Sequence, residues 1–423
     1  MINEKTGQRE LAYVVNIDAI EPIVGSDNCE AAVVGGWRVM VRKGTFKPND
    51  LAIYFEIDSK VDTTRPEFAF LEKRDGKIKT QRYTFGGKGL MFSQGLLMAP
   101  EDFGWMVAYS PADPDNYYIV TNNNGGVNEK CFRVDDDSRF LTKELGVTYA
   151  VAEDNVRKSN GDPNQKYKAM GSRHAKLAKA RWWRWLMKRE WGRKLLFAFF
   201  GKKKDNPRSW PTHFPYIHKT DEERCENIPW VLNYERPLTV TEKLDGTSTT
   251  FILERKKFNK FEFYVLSRNV RQADEKQECY HDHNIYWDMA FKYDVENHLR
   301  QFLIENPDCP YVCIQGESVG SVQGNPLKLN EDDFYCFNFI DGRKGRLPSP
   351  DGKAIVEQWG MKWVPILDTQ FKMPGDMEEF KQMATAKSVV NPEVWREGIV
   401  LRDPTNDFSF KNVSREYLMK HSG

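Results

Sequence analysis

Between residues 10 and 100 the apolar residues come only in short runs cut by turn signals, a pattern that suits strands and leaves no room for a helical bundle. The runs are Tyr13 to Ile17, Ala31 to Val34, Trp37 to Val41, Leu51 to Ile57 and Gly95 to Met98, with Gly35-Gly36 and Pro48-Asn49-Asp50 as turns. No stretch of helical period interrupts them. A five-stranded OB-like β-barrel over residues 1–110 is the expected fold.

The length of 423 residues asks for two or three domains. From about 103 to 155 the chain turns rich in Asn, Asp and Gly, as in Asn122-Asn123-Asn124-Gly125-Gly126, and reads as loops with a short element. Residues 111–210 are therefore expected to connect the barrel to a second domain. Within them, residues 164–204 carry fourteen bases against one acid, Glu190, and interleave Trp182, Trp183, Trp185, Trp191, Phe197, Phe199 and Phe200. Such a mixture suits phosphate contacts and stacking on unpaired bases. A basic helix on an anionic membrane, or a solvated helix whose aromatics pack on its own protein, fits the same composition. The whole chain has 62 Lys+Arg and 61 Asp+Glu, a net charge of +1, but that insert holds +13 and leaves the remainder at −12. The average excludes uniform basicity, not a polyanionic partner.

With 40% hydrophobic and 29% charged residues, the chain reads as an ordinary soluble globular protein. Its longest apolar run, Leu195 to Phe200, is far too short to span a bilayer. The opening MINEKTGQRE mixes acids with bases and has no apolar core, unlike a secretory leader. A cytoplasmic protein with no stable membrane association is expected. The seven cysteines are odd in number and scattered, as reduced thiols are. Cys279, His281 and His283 lie close together without a second ligand pair downstream, and read as a polar loop rather than a zinc site.

After Pro211 the composition becomes that of an α/β chain. Thr220-Asp221-Glu222-Glu223 has the form of a capping box, so a helix is expected to start there and to carry Arg224, a candidate nucleotide contact. Leu238 to Glu242 alternates like a strand and runs into Lys243-Leu244-Asp245-Gly246, after which Thr249 to Leu253 is strand-like again. A lysine placed so, at a strand end before a tight turn, faces a cleft. Four clusters come next: Leu266-Ser267-Arg268-Asn269; Cys313-Ile314-Gln315-Gly316-Glu317; the aromatic strand Phe334 to Phe339; and Arg396-Glu397-Gly398-Ile399-Val400, which precedes Ser409-Phe410-Lys411. With Asp403 to Asp407 as the turn, Leu401 pairs with Phe408 and Gly398 lies opposite Lys411, bringing a carboxylate and an amine together on one hairpin.

In this order KLDG, SRN, GES, the aromatic strand, EGIV and SFK resemble motifs I, Ia, III, IIIa, IV and V of the covalent nucleotidyltransferases, the ATP-dependent ligases and mRNA capping enzymes. Within that superfamily the chain is most similar to RNA ligases that carry an N-terminal OB domain, the Deinococcus and Naegleria type. The stretches GWRVMVRKGTFKPNDLAIYFEID, SQGLL, FPYIHKTDEER, VTEKLDGTST and GESVGSVQGNPLKL carry the same likeness, which covers roughly residues 10–100 and 211–423. It implies an α+β protein: an OB-like β-barrel, then a nucleotidyltransferase domain of the DNA ligase/mRNA capping enzyme type over 211–423. DNA ligases and capping enzymes carry a further OB domain after motif V, for which the twelve residues beyond Lys411 leave no room.

The resemblance also implies three chemical steps: attack of a lysine on the α-phosphate of ATP, transfer of AMP to an RNA 5′-phosphate, and attack of a 3′-OH that expels AMP. Lys243 is the expected nucleophile. A free lysine, with a pKa of about 10.4, is almost wholly protonated at pH 7, so its site must favour the neutral amine. Lys411 would neutralise the α-phosphate. Glu317 and Glu397 suit Mg²⁺ or Mn²⁺, Glu317 also approaching the ribose. Arg268 would hold the AMP ribose or a 5′-phosphate, Phe337 would stack on adenine, and Glu242 would accept a hydrogen bond from its exocyclic amine. The implied partner is RNA, as a nicked duplex or RNA–DNA hybrid whose 3′-OH strand is RNA, with the protein acting as a monomer. Two positions depart from the wider pattern: Ser409-Phe410-Lys411 replaces the KxK of many ligases, and Phe337-Asn338 replaces Phe-Asp. A GTP-dependent capping-type guanylyltransferase and a non-catalytic nucleic-acid-binding protein of the same fold are the alternatives.

Overall fold

The computed structural model describes residues 1–421 apart from 4, 86–88, 111–112, 122–129, 151–179, 188, 190, 193–195, 197–207, 219 and 273–283. Cys279, His281 and His283 thus lie outside the described residues, as does most of the basic insert. No helix among the described residues is long and apolar enough to cross a membrane.

The N-terminal barrel is built from two three-stranded sheets. Strand Leu51–Phe55 runs between Ala12–Asn16 and Leu96–Met98, and Cys29–Val34 between Ala19–Pro22 and Trp37–Arg42. Ala19–Pro22 was announced by no apolar run, nor was the hairpin Gln81–Phe85 with Gly89–Ser93. Period-two alternation on Leu51–Phe55 feeds two cores at once. Leu51, Ile53 and Phe55 enter one with Phe68, whereas Ala52 and Tyr54 enter another with Tyr13 and Trp37.

The stretch from 103 to 155, expected as loops, carries three strands, Trp105–Ser110, Asp113–Thr121 and Cys131–Arg133. Ile119, Phe132, Leu141, Leu145 and Val147 close the first barrel core, so these residues fold as part of the barrel rather than away from it. Trp105 to Tyr109 and Tyr117 to Val120 are short apolar runs like those before residue 100, and the Asn-, Asp- and Gly-rich turns around them masked that signal. Of the basic insert, Arg181–Met187 forms a helix, and Trp183 and Leu196 are buried against each other. Trp185 and Trp191 remain exposed, with the Arg189 guanidinium 3.8 Å above the Trp185 ring.

The second domain has two sheets. An eight-stranded sheet is centred on Thr247–Arg255, Tyr311–Val319 and Asp333–Asp341, and helices Ile285–Lys292, Val295–Glu305 and Ser349–Gln358 cover one of its faces. A five-stranded sheet runs in the order Glu223–Arg224, Ser409–Val413, Gly398–Arg402, Leu238–Lys243, Ile366–Phe371. The chain passes from the smaller sheet to the larger at Asp245-Gly246. Gly246 lies so close to the larger sheet that a Cβ there would meet the Ser318 carbonyl oxygen at 2.3 Å. Val413 and Leu418 of this domain join Trp37 and Tyr54 in the second barrel core, so the two domains share buried apolar surface.

Candidate active site

Lys243 ends its strand opposite Gly398, and its Nζ lies 2.6 Å from Oε2 of Glu397, the residue just before the neighbouring strand. Glu317 comes from the other sheet, opposite Ser248 and Tyr335. Tyr417 donates to the Asp245 carboxylate from the helix Arg415–His421.

The charges here oppose the expected neutral amine. Burial works against the Lys243 ammonium, but the carboxylates of Glu397, Glu317 and Asp245 outweigh it and hold its pKa above the ordinary lysine value. Burial in turn pushes Glu397 up, and drives Glu317 up to about 8 although Lys243 pulls it down. The site thus gathers three carboxyl groups around one ammonium, and burial favours the neutral form of two of them. Among the described residues no three His, Cys, Asp or Glu converge as a ready-made metal cage. Two carboxylates completed by phosphate oxygens and water are a set that a magnesium-like ion accepts, and Glu317, whose side chain makes no hydrogen bond among the described residues, together with Glu397 fits that need.

Phe337 owes its position to a β-bulge. The ladder pairs Gly316 with Cys336 but Gln315 with Asn338, leaving Phe337 as the extra residue. A bulge re-aims a side chain, and here the Phe337 ring lies under the Arg402 guanidinium at 5.5 Å. Glu242 is buried; its Oε2 accepts from the Val389 amide at 2.8 Å, and its Oε1 is buried without a hydrogen-bond partner among the described residues. Burial raises its pKa.

The remaining two expected residues meet on a third. Asp221 Oδ1 accepts from Lys411 Nζ at 2.9 Å, and Oδ2 accepts from Arg268 Nη2 at 2.6 Å. Burial lowers Lys411 to about 8 against the opposing pull of Asp221.

A family model for RNA ligases matches residues 236–416, and a model of an OB-fold domain matches residues 11–98. The chain carries an RNA ligase domain. Among solved structures, a Naegleria gruberi RNA ligase with pyrophosphate is 27% identical, with 98% of this chain and 99% of that one covered and a TM-score of 0.63. A variant of the same ligase with ATP and manganese is 27% identical over 98% of this chain and 100% of that one, at a TM-score of 0.64. A further variant, with AMP and manganese, is 26% identical over 98% and 99%, at 0.63. A comparison with curated protein sequences found no match.

Two expectations about this ligase domain are corrected. Thr220 to Glu223 do not cap a helix: Glu223–Arg224 is a strand parallel to Phe410 and Lys411, followed by a short 3₁₀ turn at Cys225–Asn227. Each side chain of the supposed box is drawn to a tertiary partner instead. Thr220 bonds Ser248, Asp221 bonds Lys411 and Arg268, Glu222 bonds Arg402, and Glu223 accepts from the Ile2 amide. Arg224 lies between the domains, 3.1 Å from Asp58. In the C-terminal hairpin Gly398 pairs with Val413 and Val400 with Lys411, two residues from the expected register. Asp403 accepts from the Thr405 amide and hydroxyl, which lengthens the turn. A slip of two keeps each side chain on its face, so Lys411 still faces the cleft.

Sequence reasoning missed Asp221, Arg402 and Arg9 as participants. Arg402 had a signal in its place on the strand after Glu397; Arg9 had none, being 212 residues from Asp221 in the chain.

Proposed function

We propose that this protein is an ATP-dependent RNA ligase that joins 3′-OH and 5′-phosphate ends through a covalent Lys243–AMP intermediate, acting as a monomer on nicks whose 3′-OH strand is RNA. The observation that carries the reading is the pairing of Lys243 with Glu397 at the crossing between two sheets, with Lys411 facing the same cleft. Lys243 Nζ attacks the α-phosphorus in line with the leaving pyrophosphate; a P–N bond forms, a P–O bond breaks and the amine loses its proton. Lys411 offsets charge building on the α-phosphate oxygens. Bound Mg²⁺ or Mn²⁺ at Glu317 and Glu397 supplies positive charge that relieves the hold of these carboxylates on the Lys243 proton. Phe337 and Glu242 receive the adenine by stacking and by the free Oε1. Arg268 holds the 5′-phosphate that takes AMP, and a 3′-OH then displaces AMP.

Incubation with α-labelled ATP and Mg²⁺ should label the protein, and Lys243→Ala should not label. Equal labelling of that variant would remove Lys243 as the nucleophile. Labelling by GTP in preference to ATP would favour a capping-type enzyme, and RNA binding with no adduct under any metal would mean a non-catalytic relative. Sealing assays on nicked RNA, DNA and hybrid duplexes read the substrate.

A further inference from the structure

Thr220 to Arg224 lies along the cleft as an acidic strap, and Asp221 is placed where two sheets meet. Its Oδ1 is 2.9 Å from Lys411 Nζ, on the smaller sheet, and its Oδ2 is 2.6 Å from Arg268 Nη2, just beyond a strand of the larger one. A single carboxylate divided between an ammonium and a guanidinium mimics a phosphate that bridges both. Next to it, Glu222 engages Arg402 at 3.1 Å in the same manner.

Asp221 borders a cavity of about 600 Å³ together with Asn227 and Gln315, and a second cation lies within a short move of its carboxylate. Arg9 Nε is 3.6 Å from Oδ2, its Nη1 faces Glu56 and Glu223, and its Nη2 is buried with no hydrogen-bond partner among the described residues. An unmade charged hydrogen bond in a buried place is costly, and a carboxylate moving away from Lys411 would satisfy it.

We propose that Asp221 is a positioning residue that stands in for a substrate phosphate: it holds Lys411 and Arg268 together in the ligand-free protein and passes to Arg9 Nη2 when a phosphate group takes its place. The inference rests on the ligase reading for the roles of Lys411 and Arg268. The displacing group is a phosphate of the nucleotide or the 5′-phosphate of RNA, which share this chemistry.

Calorimetric titration of the full chain with inorganic pyrophosphate, and with 5′-phosphorylated against 5′-hydroxyl RNA strands, tests it. Asp221→Asn removes the competing charge, so the phosphate source that displaces Asp221 should bind three- to tenfold tighter, and Asp221→Glu should stay within twofold of the unaltered protein. The alkaline limb of AMP transfer should also move to lower pH in Asp221→Asn, because the carboxylate that supports the Lys411 charge is gone. Unchanged or weaker binding of both probes would overturn the proposal. If Asp221→Asn does not fold, Arg9→Gln carries the test: loss of the landing site should weaken phosphate binding three- to tenfold, and unchanged binding would overturn it. These are equilibrium readouts. A protein that forms no Lys243 adduct yet shows the binding shift overturns the ligase reading alone, and one that forms the adduct without the shift overturns the strap alone.

Discussion

Lys243 and Glu397 meet at 2.6 Å across 154 residues of chain, and the lysine is held charged by the contact. On the reading proposed above, in which Lys243 is the nucleophile, an amine held protonated by the residues beside it needs a change in local charge before it can act. Metal binding and pH are therefore tied together in this site.

Glu317 is neutral below about pH 8 and must ionise to hold a cation. Mn²⁺ affinity should rise about tenfold per pH unit as pH approaches 8 from below and level off above it. Glu317→Gln should flatten that dependence. Free Mn²⁺ measured by electron paramagnetic resonance from pH 6 to 9 gives the slope directly.

Lys411 works in the opposite sense, being charged below about pH 8 and neutral above it. The kcat/KM for self-adenylylation should fall on the alkaline side with an apparent pKa near 8. Lys411→Arg should carry activity further into alkali if the guanidinium can reach the phosphate. Single-turnover labelling across pH checks both.

Lys381 and Glu226 form a fully buried ion pair, and Lys381 also donates to the Val413 carbonyl on the Lys411 strand. Lys381→Met should cost about 3–5 kcal/mol, because it leaves a buried carboxylate without its partner. The double variant Lys381→Met, Glu226→Gln should recover most of that loss in urea unfolding. Equal losses in the single and double variants would contradict this account.

Phe337→Ala should raise KM for ATP by about five- to 150-fold, in line with about 1–3 kcal/mol for a stacking platform. Phe337→Tyr should keep most of the affinity. A single-nucleotide binding titration separates this from any effect on RNA.

Deletion of 164–204 removes +13 of charge and should weaken RNA binding and flatten its salt dependence while self-adenylylation persists. Filter binding between 50 and 200 mM salt reads the slope, on the order of the range over which such contacts are lost. Loss of folding with unchanged RNA binding in the surviving fraction would assign the segment a packing role.

Chemistry was more legible in the sequence than geometry. Lys243 before Asp245-Gly246, and Glu397 before Gly398, were readable because a tight turn or a strand end limits where the neighbouring side chain can point. The register of the last hairpin was not, since the side-chain bonds of Asp403 decide the turn length and no spacing rule reveals them. Thr220 to Glu223 was misread for a physical reason: local capping competes with tertiary ion pairs, and Lys411, Arg268 and Arg402 are distant in sequence and offer the acids stronger partners. The Phe337 bulge left no trace in composition, because the aromatic strand reads the same with or without an extra residue.

Strand Ser409–Val413 lies between Gly398–Arg402 and Glu223–Arg224, so the smaller sheet is incomplete until residues near 411 have joined partners made some 190 residues earlier. Contacts so distant form late, after a large loss of chain freedom. During synthesis the ribosome must therefore release nearly all of this domain before Lys411 can meet Asp221. A fragment translated only as far as residue 400 lacks Lys411 and its strand, and should not bind ATP tightly.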